Sequence, residues 1–477
     1  MRIRCFLLSL LFVSLTFLVS HGRQPNILLM IGDDCTYKDL PLYGGENART
    51  PNIDQLASES LVFNKAFLSM AMCNPCRTEL YTGLYPVRGG SAWNHSAARD
   101  GLKSIVHYLS DLGYRVGISG KVHVGPDKVF PFENVNGLKR GSKSESEGID
   151  THALADFMNR DPSQPFCLVL GFTSPHAPWT VEPPAHLAPE KIQLPPNIAD
   201  NERTRADFSL YLAEVEELDR GVGLGLRALE ASGQADDTLV LFTSEQGSMF
   251  PGNKWTNWNS GVHTSMVVRW PRVVDPGKRT DALVQYADVV PTFVDAAGGA
   301  VEALNLDGSS FLSVIEGITE EHRSFVYCMH NNIPEGPPYP IRAVTDGSYL
   351  YIRNLRPELL YIEKHLMGGH PYHDFWPSWL TESGPWNNPD RAMNQKSVDL
   401  VHRFMRRPSE ELYYLPEDPY SMNNLAEDPG YQSMQVGLSS ELDAWMSSQG
   451  DPGALIDNEN DWRAARAGNH FKPLTKR

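Results

Sequence analysis

Cys73-Asn74-Pro75-Cys76-Arg77-Thr78-Glu79-Leu80-Tyr81-Thr82-Gly83 is the stretch from which the rest of the chain is read. Pro75 has its φ preset and needs no N–H, which suits the first turn of a helix. Thr78 to Tyr81 continue that helix and Gly83 closes it. Cys73 then stands at the positive end of the helix dipole with Arg77 one turn on, a place to hold an anion. On residues alone, two other assignments stay open. One is a buried cysteine pair in a core turn, since free cysteine is often buried. The other is a redox or metal pair, given the C-x-x-C spacing. A structural zinc site needs a second ligand pair, and no other C-x-x-C is present.

The chain has 477 residues, enough for one large core and a smaller domain. Hydrophobic residues make up 41% and charged residues 21%, an ordinary globular balance. The net charge of -16 argues against nucleic-acid binding, which needs a basic face. It leaves room for a small anionic substrate wherever positive groups gather locally. Residues 1–22 read as a secretory signal peptide: Arg2 and Arg4, an apolar run from Phe6 to Val19, then Ser20 and Gly22. A retained anchor is the alternative for this segment. No later stretch is long and apolar enough to span a bilayer, so no stable membrane anchor is expected. The reading is an exported protein, periplasmic or extracellular. Cys35, Cys73, Cys76, Cys167 and Cys328 remain after the leader; their odd number and spacing suggest no disulfide framework.

Three apolar runs end in chemically loaded residues. Asn26 to Ile31 reads as a buried parallel strand ending in Gly32-Asp33-Asp34. Adjacent carboxylates there repel unless a cation or protons intervene, and hard cations take such ligands. Phe166 to Phe172 is a second buried strand, followed by Thr173-Ser174-Pro175-His176-Ala177-Pro178. Asp237 to Thr243 is a third, ending in Ser244-Glu245-Gln246-Gly247. A strand over Tyr114–Ser119 leads to Gly120-Lys121-Val122-His123-Val124-Gly125, and alternation on an extended segment puts Lys121 and His123 on one face. The spacing further predicts a helix over Phe208–Ala231, a Pro-rich surface excursion over 179–205 and a hairpin turning at Asp346-Gly347. A final helix is expected over Leu438–Met446. An aromatic, His-rich insertion over 354–410 carries His365, His370, His373, Trp376 and Trp379, with basic neighbours His402, Arg403, Arg406 and Arg407. It reads as a packed lobe or as a sugar subsite.

The segment C-x-P-x-R with its T-G tail resembles the activation site of formylglycine-dependent (type I) sulfatases of the alkaline phosphatase-like superfamily. Pro25-Asn26-Ile27 leading to Asp33-Asp34, Thr50-Pro51-Asn52-Ile53, G-K-x-H-x-G at Gly120–Gly125, S-P-H-x-P at Ser174–Pro178 and Gly261-Val262-His263 leading to Trp270-Pro271 resemble further segments of that family, in its order. Five positions depart from the pattern: Cys76 stands for Ser or Ala, Glu245-Gln246 for Asp followed by Asn or His, His263 for Arg and Ser265 for Pro.

The resemblance implies an α/β fold: a doubly wound, mostly parallel catalytic domain over 23–330 and a smaller antiparallel-sheet-plus-helix domain over 331–477. It implies that Cys73 is oxidised to formylglycine by a maturation enzyme and that the hydrated aldehyde attacks sulfur. Asp33, Asp34, Cys73, Glu245 and Gln246 are the implied metal set, for Ca2+ or Mg2+ in its place. Arg77, Lys121, His123, His176 and Lys254 are the implied catalytic partners: Arg77 on the diol, both lysines on sulfate oxygens, His123 assisting the nucleophile and His176 the leaving group. A sulfated polysaccharide or oligosaccharide is the expected substrate. The alternatives are N-sulfoglucosamine hydrolysis, phosphodiester or phosphonate hydrolysis, and a non-catalytic glycan-binding relative.

Overall fold

β1 (Asn26–Gly32) is a run of seven buried residues, and it sits in the interior of the larger sheet. An apolar run without alternation can be covered on both faces, which is why it belongs there. The structure, a computed structural model, describes residues 24–139, 144–367, 375–381 and 394–470. The leader assigned to 1–22, together with His370 and His373, lies outside the described residues.

The larger sheet adds β2 (Leu61–Phe67), β3 (Arg115–Gly120), β4 (Glu133–Asn134), β5 (Phe166–Gly171), β6 (Thr238–Ser244), β7 (His263–Arg269) and β8 (Lys278–Gln285). Their order is β4-β3-β5-β1-β6-β7-β2-β8, parallel except for β7, which runs antiparallel to both β6 and β2. The register aligns the strand ends: Gly32 pairs with Ser244, Ile31 with Gly171, and Gly171 with Gly120. The loops leaving β1, β3, β5 and β6 therefore emerge side by side at one edge, where open α/β sheets place their ligands.

The smaller sheet is antiparallel, in the order β12-β11-β10-β9: β9 (Val326–His330), β10 (Ile341–Thr345), β11 (Tyr349–Asn354) and β12 (Glu410–Tyr414). The expected turn at Asp346-Gly347 joins β10 to β11. The two sheets are stitched together where Met329 N donates to Ser69 O at 2.7 Å and Gln285 Nε2 to Tyr327 O at 2.7 Å.

Several local expectations change. The long helix runs over Glu202–Ala231 and begins six residues before Phe208. The Asn201 side chain accepts from Thr204 N and starts it through a charged first turn that carries no apolar period. Within 179–205, Trp179, Leu187, Ile192 and Ile198 are buried, and Trp179 stacks on Phe250 at 5.3 Å, so this segment is pinned to the core. The helix at Gln432–Gln449 is not the last; Glu459–Arg466 follows, capped by Asn458 and anchored by Trp462 and Ala465. In the aromatic insertion, Trp379 is buried and donates Nε1–H to Thr204 Oγ1 at 2.9 Å. Arg403 and Arg407 lie over the Trp258 ring, 3.8 and 4.3 Å from its centroid. These side chains pack, as exposed-looking aromatics usually do. Cys35, Cys73, Cys76, Cys167 and Cys328 are all free and buried. Among the described residues no helix is long and apolar enough to cross a membrane.

Candidate active site

The helix predicted from Pro75 spans Cys73–Thr82, with Gly83 capping it at φ 69°. Every residue in it is buried, Arg77 included. Its N-terminus points at the edge where β1, β3, β5 and β6 end. Close approach is built into that edge: a Cβ on Gly171 would lie 2.3 Å from Lys121 O and 3.0 Å from Arg77 Nη1. Asp34 adopts φ 59°, a left-handed conformation that a short polar side chain tolerates.

Cys73 Sγ lies 3.4 Å from Asp33 Oδ1, 3.6 Å from Asp34 Oδ1 and 3.4 Å from Lys254 Nζ. Gln246 Nε2 approaches the same sulfur at 3.1 Å, and Asp34 Oδ1 at 2.5 Å. Lys121 Nζ pairs with Asp33 Oδ2 and lies 4.0 Å from Glu245 Oε2. Lys254 Nζ donates to Asp34 Oδ2 at 2.7 Å. Arg77 spans the floor: its Nε donates to Glu245 Oε1 and its Nη1 to Lys121 O at 2.8 Å. His176 stands at the mouth, with Nε2 3.6 Å from Asp34 Oδ2 and its side chain 39% exposed. The site thus draws Asp33, Asp34, Cys73, Arg77, Lys121, His176, Glu245, Gln246 and Lys254 together from six separate segments.

Burial opposes the charged form of Asp33, but Lys121 and His176 outweigh it and hold the carboxyl below the usual range. Asp34 is lowered in the same way, by Lys254 and His176 against burial. Burial also opposes the charges of Lys121 and Lys254; Asp33 and Asp34 respectively overcome it and raise both ammonium groups. The Cys73 thiol moves the other way. Burial, then Asp33 and Glu245, push it well above its ordinary value.

The donor set fits a hard divalent cation. Ligand atoms of Asp33, Asp34, Cys73 and Glu245 all lie within 4.8 Å of one another in a buried pocket, and carboxylate oxygens are the ligands that Ca2+ and Mg2+ prefer. Three carboxylates face three buried cations, Arg77, Lys121 and Lys254, so the charge of an added ion is free to balance an anionic substrate. Gln246 turns its amide oxygen toward Cys76 Sγ, 3.4 Å away.

His123 reaches its place by a different route from the one its spacing predicted. Its φ is 49°, so the backbone after Lys121 turns left-handed and strand alternation does not apply. Asn74 Nδ2 ties the turn to the Cys73 helix by donating to His123 O at 3.0 Å. Burial, then Lys121, lowers the imidazole to about 3, so His123 is neutral. His263, at the position where the family has arginine, is buried in stacks with Tyr37 and Phe67, and its Nε2 bonds Asn64 O at 3.0 Å.

Sequence reading missed His95, whose Nδ1 lies 3.3 Å from His123 Nε2, and Glu335 of the loop after β9, whose Oε1 lies 3.9 Å from His95 Nε2. The available signal was weak. Trp93-Asn94-His95 follows a Gly-Gly-Ser turn, and Glu335 is hundreds of residues away.

The sulfatase family model matches residues 25–300, and the model for the C-terminal part of N-sulphoglucosamine sulphohydrolase matches 252–354. An ulvan-active sulfatase of Formosa agariphila is 30% identical over 437 residues, covering 90% of this chain and 81% of that protein. Human N-sulphoglucosamine sulphohydrolase is 27% identical over 476 residues, covering 91% and 92%. Among solved structures, a protein in complex with its substrate D-glucosamine-2-N,6-O-disulfate aligns with a TM-score of 0.66 at 19% identity, covering 90% of this chain and 99% of that one. A 2-O GAG sulfatase aligns with a TM-score of 0.66 at 18% identity, covering 95% and 99%. A match that takes in more than half of the chain, on the fold these structures share, makes this protein a member of the sulfatase family and a sulfuric ester hydrolase of the alkaline phosphatase-like fold.

Proposed function

We propose that the chain releases sulfate from sulfated carbohydrates, with residue 73 working as a formylglycine made from Cys73 beside a divalent cation, Ca2+ or Mg2+. One observation carries this reading: Cys73 Sγ sits at a helix N-terminus between Asp33, Asp34 and Lys254, within 3.6 Å of each. As a buried thiol held protonated, cysteine itself is a weak nucleophile there. A hydrated aldehyde at the same position supplies a hydroxyl nucleophile instead. Asp33, Asp34 and Glu245 would hold the cation, with the side chain of residue 73 completing the set and Gln246 joining it only with its amide turned over, since its oxygen faces Cys76 and its Nε2 faces Asp34; a bound ion would supply polarisation of the sulfate and of that hydroxyl.

The remaining chemistry belongs to the chain's own side chains. Arg77 steadies the hydrated side chain of residue 73. Lys121 and Lys254 offset the charge that develops on the sulfate oxygens. His176, at the open mouth, donates a proton to the departing alcohol or amine. His123, a neutral imidazole, then takes the proton of the remaining hydroxyl as sulfate is expelled.

A sulfated polysaccharide or oligosaccharide is the substrate class we favour, supported by relatives named for ulvan and glucosamine sulfates. An N-sulfated glucosamine is the second reading, favoured by the match over 252–354. In this account residues 1–22 direct export to the periplasm or beyond, and a formylglycine-generating enzyme is a transient partner. Residues 23–330 carry the chemistry, and 331–477 form the rim of the cleft. The test is sulfate release by protein co-expressed with that enzyme, from O-sulfated and N-sulfated sugars, with phosphate esters in parallel. A Cys73→Ala variant that kept full sulfatase activity, or faster hydrolysis of the phosphate esters, would refute the proposal.

A further inference from the structure

Hydrolysis of a sulfate monoester yields an alcohol, a sulfate dianion and one proton, and that proton has to leave a buried centre in every turnover. His123 is a poor place to store it. Burial disfavours charge on that imidazole most, Lys121, Arg77 and His95 add to the effect, and Glu245 opposes it.

The structure offers an exit. His123 Nε2 lies 3.3 Å from His95 Nδ1, with the two ring centroids 5.3 Å apart. The other ring nitrogen of His123, Nδ1, is buried without a hydrogen-bond partner among the described residues. Half of the His95 side chain is exposed, so the imidazole borders solvent. That far nitrogen, Nε2, lies 3.3 Å from Asn94 Nδ2 and 3.9 Å from Glu335 Oε1. Asn94 Nδ2 also donates to Glu335 Oε1, while Asn94 Oδ1 accepts from His95 N at 3.2 Å. Glu335 is buried, with Lys364 Nζ 3.5 Å from its other oxygen. Its loop is held by Asp457, which accepts from the backbone N–H groups of Asn332, Ile333 and Tyr339. His95 and His123 both adopt positive φ, 59° and 49°, a conformation uncommon outside glycine. The charged groups facing His95 are Glu335, which favours its protonated form, and Arg466, Lys364 and Lys254, which oppose it.

We propose that His95 carries the proton taken up by His123 out to solvent, its ring drawn into line by the Glu335 carboxylate of the smaller domain and its backbone N–H held by Asn94 Oδ1. This rests on the reading of His123 as the proton acceptor. The hydroxyl O–H bond at residue 73 breaks and an N–H bond forms at His123 Nδ1. The Nε2–H of His123 passes to His95 Nδ1, and His95 gives up its Nε2–H to water at the mouth of the cleft. The electron pair of the broken O–H bond becomes the carbonyl bond of the restored aldehyde as sulfate leaves with the C–O pair. His95, Asn94 and Glu335 are positioning residues, since none of them touches the reacting atoms.

Two measurements test this. Selectively ¹⁵N-histidine-labelled protein should show a scalar coupling across the His123–His95 hydrogen bond by NMR, whatever the state of residue 73. Its absence overturns the relay without touching the proposed function. In aldehyde-bearing protein, His95→Phe should lower kcat by about ten- to a hundredfold with KM within about twofold, and added imidazole should restore part of the loss. Glu335→Gln should give a smaller loss in kcat and a larger solvent deuterium isotope effect. His95→Phe with wild-type kcat overturns the relay. Wild type that bears the aldehyde and releases no sulfate overturns both the relay and the reading it rests on.

Discussion

Lys254 Nζ bonds Asp34 Oδ2 at 2.7 Å, joining a turn-rich loop to the end of β1 in a pocket where both side chains are at most 5% exposed. A solvated lysine is the default for such a loop, so its burial against the site is what gives Lys254 a role. Lys254→Ala should cut kcat/KM for sulfate release by about 10²–10³ and destabilise the fold by roughly 3 kcal/mol through the charge left on Asp34. Lys254→Arg should recover more of the stability than of the activity. Steady-state kinetics and urea unfolding on both variants check this, and wild-type kcat/KM in Lys254→Ala would remove the lysine from the chemistry.

The cluster of Asp33, Asp34 and Glu245 predicts that a divalent ion stabilises the folded chain. At a hundredfold excess over its dissociation constant, a bound ion adds about 2.7 kcal/mol. Thermal melts of protein stripped with chelator should therefore shift upward on adding Ca2+, and the shift should vanish in Glu245→Ala. A melting temperature indifferent to Ca2+, Mg2+ and chelator would leave these carboxylates without their proposed ion.

Asp39 is buried and accepts from Tyr211 Oη at 2.9 Å. Burial raises its carboxyl to about 7, with hydrogen bonds from Tyr211 and Thr36 pulling the other way. Between the unfolded value of 3.8 and that folded value, the native state keeps a proton that the unfolded chain has lost. Stability from this group is therefore greatest below pH 4, falls as pH rises toward 7 and is level above it, a change on the order of 4 kcal/mol at most. Asp39→Asn should flatten that part of the profile. Urea unfolding at pH 5 and pH 8 reads the difference, and equal slopes in wild type and variant would contradict it.

Arg342 and Asp451 form a fully buried pair that fixes β10 to the turn after the Gln432–Gln449 helix. Arg342 Nη1 also donates to His330 O at 3.2 Å and Asn331 Oδ1 at 3.1 Å. Arg342→Ala strands the carboxylate and should cost about 3–5 kcal/mol. Calorimetry or denaturant melts would show it, and a loss under 1 kcal/mol would mean that the pair is solvated or dispensable.

Much of this was legible in the chain itself. Asn26–Ile31, Phe166–Phe172 and Asp237–Thr243 are apolar runs that break into Asp33-Asp34, His176 and Glu245-Gln246, and a parallel sheet in register brings such breaks to one edge. The start of the long helix was hidden because Glu202 to Asp207 are mostly charged and only the Asn201 cap marks it. His123 shows the limit of periodicity, since a single left-handed residue removes the alternation on which the argument rested. The pairing of His95 with Glu335 could not be read at all. It depends on how the smaller sheet docks on the larger one, through contacts such as Met329 to Ser69, and no local spacing encodes that.

In the proposed reaction residue 73 works as an aldehyde. The most direct measurement is the mass of the peptide containing Cys73, taken from protein that is releasing sulfate. That peptide should carry the lighter formylglycine form, in a fraction that rises in step with specific activity as the maturation enzyme is co-expressed. Full activity in protein whose peptide keeps the mass of unmodified cysteine would contradict it.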